Sequence, residues 1–387
     1  MSIPILILSD APDSGTGLGR ITKDLAYILS TMPEFRVATL GRGGLGSRHL
    51  PWAQYVFPES EQWGEGLLIK ACEDFSKDEP FIIFTIWDAS RLFWFAQPNA
   101  LPEGHPLRSF LTSGKFERWG YFPVDAYGIN KSLSVLSRNT LSGFGRILAY
   151  SKFGVSIIAN STRDWATDFI PHIIHSDIFY DLGKEEGRTT LGLESHHKLV
   201  GCVMTNQARK DWGVWAQTAR LLIDKNPNYR FWANVDFLEN YWSLPALIED
   251  FGLGDYVRIT QAVTDETLAK LYSACDVTFL PSLGEGFGYP LAESMACGVP
   301  AIHTSYGAGT EIVGRENSVD SHTFRLDTLH NVYRPVLDPH MFTQAVDYRV
   351  NHLPPREEVT DSISHLFWYN LAPVWKHWFK KGLSNVR

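Results

Sequence analysis

The sequence predicts an α/β protein built from two doubly wound domains in tandem. Three observations lead there. The chain has 387 residues, long for one domain and ordinary for two. A strand–helix–strand pattern opens at residue 3 and opens again at residue 198. Between them lies "YDLGKEEGRTTLGLESHH", a polar, glycine-containing connector. Each opening is a β-α-β unit, the building block of a parallel sheet.

The first domain begins with "IPILILSD", an apolar run bounded by turn residues, hence a buried strand. A glycine-rich turn follows, Ser14 to Gly19. Then "RITKDLAYILSTM" places Ile21, Leu25, Ile28 and Leu29 on one helical face, and "FRVATLG" is the next strand. The second domain repeats this with "KLVGCVMT", the polar turn "NQARKD", the helix "WGVWAQTARLLIDKNP" and the strand "YRFWANV". "LPALIEDFGLG" is a helix closed by glycine, and "YVRITQAV" a strand. "TDETLAKLYSAC" is a helix whose Thr264 and Glu266 suit a capped start. "DVTFLPS" and "VPAIHT" are strands on either side of a glycine-rich turn and short helix. The tail "SISHLFWYNLAPVWKHWFKKG" is an aromatic helix in which Pro373 predicts a kink.

Composition narrows the function. The chain is 44% hydrophobic and 20% charged, with a net charge of −8, so it carries no general electrostatic footprint for nucleic acid or anionic membrane. The start "MSIPILILSD" reads as a first strand rather than a signal peptide or membrane span. Cys72, Cys202, Cys275 and Cys297 are scattered, without CxxC spacing, which fits a reduced, cytoplasmic setting. Thirteen tryptophans point to a strongly aromatic core.

Ligands of open α/β sheets bind outside the carboxyl ends of the strands, so the loops after strands are where chemistry is expected. "SDAPDSGTGLGR" holds Gly15, Gly17 and Gly19 two apart. A dinucleotide fingerprint needs its third glycine where Arg20 stands, so the match fails. What remains is a turn open to backbone approach, ahead of a helix start that can face an anion. "TNQARKDWG" sets Arg209 and Lys210 just before a helix. Cations there oppose the helix dipole, but they suit a diphosphate, which needs neutralisation and several donors; a solvated surface pair is the plain alternative.

"PSLGEGFGYPLAESMACG" follows another strand. Gly284, Gly286 and Gly288 permit bends and close approach. Pro290 suits a first helical turn, and Gly298 ends the helix. This puts Glu285 on the loop and Glu293 in the helix's first turn, where negative charge is favoured. A retaining glycosidase needs carboxyls roughly 5 Å apart across a sugar bond. Both glutamates here approach from one side, which fits a ligand lying along the turn better.

These residues resemble a family. "VTFLPSLGEGFGYPLAESMACGVPAI" is similar to the E-x7-E segment of GT4 retaining glycosyltransferases, and "RKDWGVWAQTARLL" to their phosphate-binding segment. "GDYVRITQAVTDETLAKLYSACD", "IPHIIHSDIFY" and "RILAYSKFG" follow that family's order over residues 140–315. The resemblance implies a GT-B fold: two Rossmann-like domains facing across a cleft, with the C-terminal helix crossing back to the first. The expected domains are 1–178 on the acceptor side, 179–362 binding the nucleotide-sugar, and the helix 363–387.

The resemblance also implies roles. Glu285 would bond donor-sugar hydroxyls beside the reacting carbon. The backbone from Gly286 through Phe287, Gly288 and Tyr289 would hold sugar and diphosphate, and Glu293 the ribose hydroxyls. Arg209 and Lys210 would neutralise the departing diphosphate, and the backbone at Ala262 and Val263 would pair with the base. The loop at Gly17 and Gly19 would close over the phosphates. Where the family carries an arginine six residues before its lysine, this chain has Met204, and Arg209 stands in. Where many members carry a cleft histidine, the nearest segment, "YFPVDAYG", offers Asp125, with Asp88 a second candidate. The histidines His172, His175 and His303 read as structural.

The implied donor is a UDP- or GDP-sugar. No cofactor is required, and the missing DxD motif agrees with a metal-independent reaction. The acceptor is a glycan, lipid-linked sugar, small metabolite or, less in keeping with the acidic charge, a modified DNA base approached by Arg42, Arg48, Arg91, Arg108, Lys115 and Arg118. A dehydrogenase and a non-catalytic sugar-nucleotide binder are the competing classes. Lys376, Lys380 and Lys381 make the tail helix a candidate for membrane docking, with packing on the first domain the favoured role.

Overall fold

The computed structural model describes residues 2–44, 46, 49–58, 64–77, 79–127, 143–161, 168–327 and 332–383; Arg48 lies outside them. The chain forms two compact units. The first comprises residues 1–173 with 369–387, the second residues 174–328 with 332–368.

The first unit is a seven-stranded sheet. Its strands are β1 (Ile3–Asp10), β2 (Phe35–Arg42), β3 (Ala53–Phe57), β4 (Phe81–Thr85), β5 (Phe116–Phe122), β6 (Arg146–Ala149) and β7 (Asp168–Phe169). They lie in the order β3-β2-β1-β4-β5-β6-β7, every pair parallel. From β1 the chain steps outward to β2 and β3, then returns to β4 on the other side. The sheet's switch point therefore lies between β1 and β4. Ile5, Leu6, Ile7 and Leu8 are all fully buried, as a parallel sheet covered on both faces requires.

The helix Trp368–Leu383 runs through Pro373 and belongs to this unit. Trp375, Trp378 and Phe379 are buried. Phe379 stacks on Trp119, and Trp378 meets Trp119 and Phe84 edge-on. The Arg146 guanidinium lies 3.9 Å from the Trp378 ring and donates to its carbonyl oxygen at 2.9 Å. Side chains of this size dominate the energy of a core, so this helix is an integral layer. Its apolar face is largely covered by protein, in keeping with the packing role the sequence favoured. The tryptophan count finds its use in both cores: Trp87, Trp119, Trp212, Trp215, Trp232 and Trp375 are among the largest fully buried side chains.

The second unit is a six-stranded parallel sheet of β8 (Lys198–Val203), β9 (Tyr229–Asn234), β10 (Val257–Thr260), β11 (Val277–Leu280), β12 (Ala301–Thr304) and β13 (Ser318–Val319). The order is β10-β9-β8-β11-β12-β13, so its switch point lies between β8 and β11. The helices Trp212–Lys225 and Asp265–Ala274 begin with side-chain caps, Asp211 accepting from the Val214 N–H and Thr264 from the Thr267 N–H. A separate antiparallel hairpin, β14 (Phe324–Leu326) with β15 (Tyr333–Pro335), follows β13.

Two details depart from the sequence reading. The strand expected through residue 263 stops at Thr260, because Ala262 adopts a left-handed φ of 50° that extended pairing cannot include. The helix after the glycine-rich turn spans Tyr289–Ala296, so Glu293 lies in its second turn and not its first. The dipole explanation for Glu293 therefore fails, since that effect fades beyond the first turn.

Candidate functional site

The switch point of the second sheet gathers the residues that the sequence marked separately. Arg209 and Lys210 follow β8; Glu285 follows β11. Their loops are sewn together by backbone: the Leu283 N–H donates to the Arg209 carbonyl at 2.8 Å, and the Asp211 N–H to the Pro281 carbonyl at 3.1 Å. Lys210 and Ser282 form an isolated antiparallel bridge. On the other side the Ala308 N–H donates to the Glu285 carbonyl at 3.0 Å, and Thr304 Oγ1 donates to the Ser282 carbonyl at 2.9 Å. Gly307, at φ 78°, lets this second support approach: a Cβ there would stand 3.0 Å from the Glu285 carbonyl oxygen.

Within this frame Lys210 Nζ bonds Glu285 Oε1, and Arg209 Nη1 lies 3.2 Å from Glu285 Oε2. Arg209 Nη1 also donates to the Gly284 carbonyl at 2.8 Å. Lys210 is 4% exposed and Glu285 5%. The pair is thus no solvated surface feature. Burial pushes the Glu285 carboxyl up, but the charges of Lys210 and Arg209 outweigh it and hold the group well below the usual carboxylate range. Burial draws Lys210 down to about 8, with Glu285 pulling the other way. At neutral pH the triad is two cations around one carboxylate. A carboxylate held ionised in this way accepts hydrogen bonds and does not donate protons.

The glycine turn continues into a helix start. Gly288 has φ 106°, ψ 57° and sits at the N-cap of helix Tyr289–Ala296, with Pro290 in the first turn. The first amides of a helix lack internal partners and present a positive end, here at Gly288 and Tyr289, with Gly286 and Phe287 in the turn that leads to it. Glu293 is 3% exposed and accepts from the Tyr272 hydroxyl at 3.2 Å. Val263 follows the strained Ala262 in the loop after β10.

Gly17, Gly19 and Asp125 belong to the first unit. Gly17 opens the helix Gly17–Ser30, capped by Thr16, whose Oγ1 accepts from the Gly19 N–H at 3.0 Å. That same hydroxyl donates to Asp10 Oδ2 at 2.7 Å, and the Trp87 indole N–H donates to Asp10 Oδ1 at 3.1 Å. Residues after β1 and β4 thus meet at the first sheet's switch point. Gly19 has a packing reason to be glycine: a Cβ would lie 2.4 Å from the Ala11 carbonyl oxygen. Asp125 follows β5. Asp88 is exposed and paired with Arg91 at 3.4 Å.

The sequence read His303 as structural, and the structure sets it beside the site. It is fully buried at the end of β12, its Nδ1 bonded to the Leu280 carbonyl at 2.9 Å, and it stands within electrostatic reach of Glu285. Gly309 makes room for its ring, since a Cβ there would fall 2.1 Å from His303 Cδ2. No signal in the sequence separates this histidine from His172, which packs on Tyr121 and Tyr150 in the first unit. A second charged cluster, with a cavity of about 250 Å³ lined by Lys184, Arg188 and Lys198 among others, lies at the amino edge of the second sheet. Lys184 and Arg188 are both engaged by Asp276 there, so it reads as a structural tie.

The chain has the fold of the GT-B glycosyltransferases. It aligns with a sucrose-phosphate synthase from Thermosynechococcus elongatus at a TM-score of 0.76 and 16% identity, covering 99% of this chain and 100% of the other. It aligns with Anabaena HepE, solved in complex with UDP and glucose, at 0.72 and 14%, covering 99% and 100%. Residues 239–320 match the family described as glycosyl transferases group 1, so the second unit carries that family's segment. An MMP alpha-(1->4)-mannosyltransferase of Mycolicibacterium hassiacum is 35% identical over 96 residues, 25% of this chain and 23% of the relative. A D-inositol 3-phosphate glycosyltransferase of Nocardiopsis dassonvillei is 30% identical over 159 residues, 39% and 37%. The chain thus spans well under half the length of these curated relatives. Among the described residues, no helix is long and apolar enough to cross a membrane.

Proposed function

We propose that the protein is a cytoplasmic retaining glycosyltransferase. It moves a sugar from a UDP- or GDP-sugar to an acceptor hydroxyl, without a metal ion or other cofactor. The observation that carries this reading is the buried Lys210–Glu285 pair at the switch point, with the half-buried Arg209 beside it. Two cations beside a helix start stabilise a departing diphosphate, whose charge grows as the sugar–oxygen bond breaks. The acceptor oxygen bonds to the anomeric carbon as the carbon–phosphate-oxygen bond opens, and the hydroxyl proton leaves to the departing phosphate oxygen. Glu285, ionised and rigidly held, accepts hydrogen bonds from donor-sugar hydroxyls. Glu293 takes the ribose hydroxyls, Val263 the base, and Gly286 to Tyr289 the sugar and diphosphate. Gly17 and Gly19 contribute from the first unit, and Asp125 orients the acceptor.

The test is thermal unfolding with UDP, GDP and NAD. UDP or GDP should raise the Tm by mass action, and stabilisation by NAD alone would overturn the reading. A sugar-nucleotide hydrolysis screen then identifies the donor. Glu285→Gln should bind that nucleotide but lose turnover.

A further inference from the structure

The triad does not by itself make a good diphosphate site. Glu285 offsets one of its two cations. Asp211, which caps the helix Trp212–Lys225 immediately after Lys210, offsets the other. The four side chains together carry no net charge, whereas the donor's diphosphate is an anion at neutral pH that needs a net positive surrounding.

The missing charge comes from the β14–β15 hairpin. It leaves β13 at the carboxyl end, the same edge of the sheet that bears Arg209, Lys210 and Glu285. Arg325 and Arg334 stand directly opposite each other in its register, so both point to one face. Like charges so placed repel unless something anionic lies before them. Arg334 is buried, donates from Nη1 to the Leu283 carbonyl at 3.4 Å and lies 3.7 Å from Asp327. Its face is therefore the one against the Ser282–Gly284 loop. The opposite strand end is fixed by Tyr306, whose hydroxyl donates to the Tyr333 carbonyl and whose ring meets Phe324 at 5.8 Å. Arg325 shares the face of Arg334, is exposed, and lies within electrostatic reach of Asp211.

We propose that Arg325 is a third cation of the nucleotide-diphosphate site, delivered by the hairpin to the neighbourhood of Asp211. This rests on the donor reading above. Arg334 is its positioning partner, holding the hairpin to the loop that carries Glu285.

The experiment is calorimetric titration of the full chain with UDP and with GDP, comparing wild type, Arg325→Gln and Arg325→Lys. At low ionic strength Arg325→Gln should weaken binding of the preferred nucleotide about fivefold to tenfold. Arg325→Lys should stay within about twofold of wild type, because it keeps the charge. At about 0.5 M salt the wild-type advantage over Arg325→Gln should shrink, since an exposed charge is screened. If wild type binds neither nucleotide, the donor reading falls and this inference with it. If wild type binds and Arg325→Gln binds equally well, only the hairpin inference falls. It also falls if Arg325→Lys loses as much as Arg325→Gln at every salt concentration, because shape rather than charge would then be at stake.

Discussion

Glu285→Ala is expected to damage the fold as well as the chemistry. The substitution leaves the Lys210 ammonium almost wholly buried, beside Arg209 and without its carboxylate. Breaking a buried pair from one side costs about 3–5 kcal/mol. For a unit of this size that corresponds to a Tm drop of roughly 6–20 °C. Lys210 has an outlet, however. Burial already brings it to about 8 from its ordinary 10.5, and losing Glu285 lowers it further. A lysine lowered in the folded state leaves the unfolded state binding more protons, so stability rises with pH. Between pH 7 and 9 the variant gains up to about 3 kcal/mol from this group, at about 1.4 kcal/mol per unit. Wild type gains about half that, only above its value near 8. The gap should therefore narrow by roughly 1 kcal/mol as pH rises. Removing both partners, Glu285→Ala with Lys210→Met, should restore most of the stability but no turnover. The assay is thermal unfolding of the three proteins at pH 7 and pH 9. A Glu285→Ala protein that melts with wild type, or a double variant that melts below the single one, would refute the reasoning.

Two further outcomes follow from the same physics. A bound diphosphate raises Lys210 again, so binding takes up a proton above pH 8; UDP or GDP affinity should hold steady from pH 7 to about 8 and then fall, by up to tenfold per unit. Titration across that range checks it, and a flat profile to pH 9 would contradict the placement of Lys210 at the phosphates. In the first unit, Gly382→Ala would set a Cβ 2.0 Å from Arg146 Nη1 and 2.3 Å from Trp119 Cη2. Overpacking there should destabilise the unit by about 1–3 kcal/mol, and calorimetric unfolding that matched wild type would show that the C-terminal helix packs elsewhere.

Much of the fold was legible because its strongest elements carry local signals. β1, β8 and β11 are apolar runs ended by turn residues, and helix 17–30 shows one apolar face. The hairpin was not legible. Its strands are three residues each, too short for alternation to stand out, and what fixes them is contact with Leu283 and Tyr306. Burial of Lys210 was equally out of reach. The sequence left the adjacent cations Arg209 and Lys210 open between a diphosphate site and a solvated surface pair, and only Glu285, 75 residues beyond Lys210, draws the lysine into a dry site. Glu293 shows the converse error. Its place near a helix start suggested a dipole effect, whereas its second-turn position and the Tyr272 hydroxyl make it a buried acceptor.

In the first unit, Asp10 sets the electrostatics of the helix start at Gly17. A helix N-terminus attracts an anion because its first amides lack partners and the dipole is positive there. At helix 17–30 that attraction is already partly met. Thr16 takes the Gly19 amide, and the Asp10 carboxylate stands behind Thr16. A phosphate at Gly17 would meet a helix end with its own counter-charge, so it gains less here than at Gly288, which begins a helix without a side-chain cap. On the donor reading proposed above, this asymmetry makes the helix start at Gly288 the more favourable of the two for a phosphate. It also gives the glycine loop of the first unit a reason to be ordered before any ligand arrives, since Asp10 ties Thr16 and Trp87 across the β1–β4 switch point.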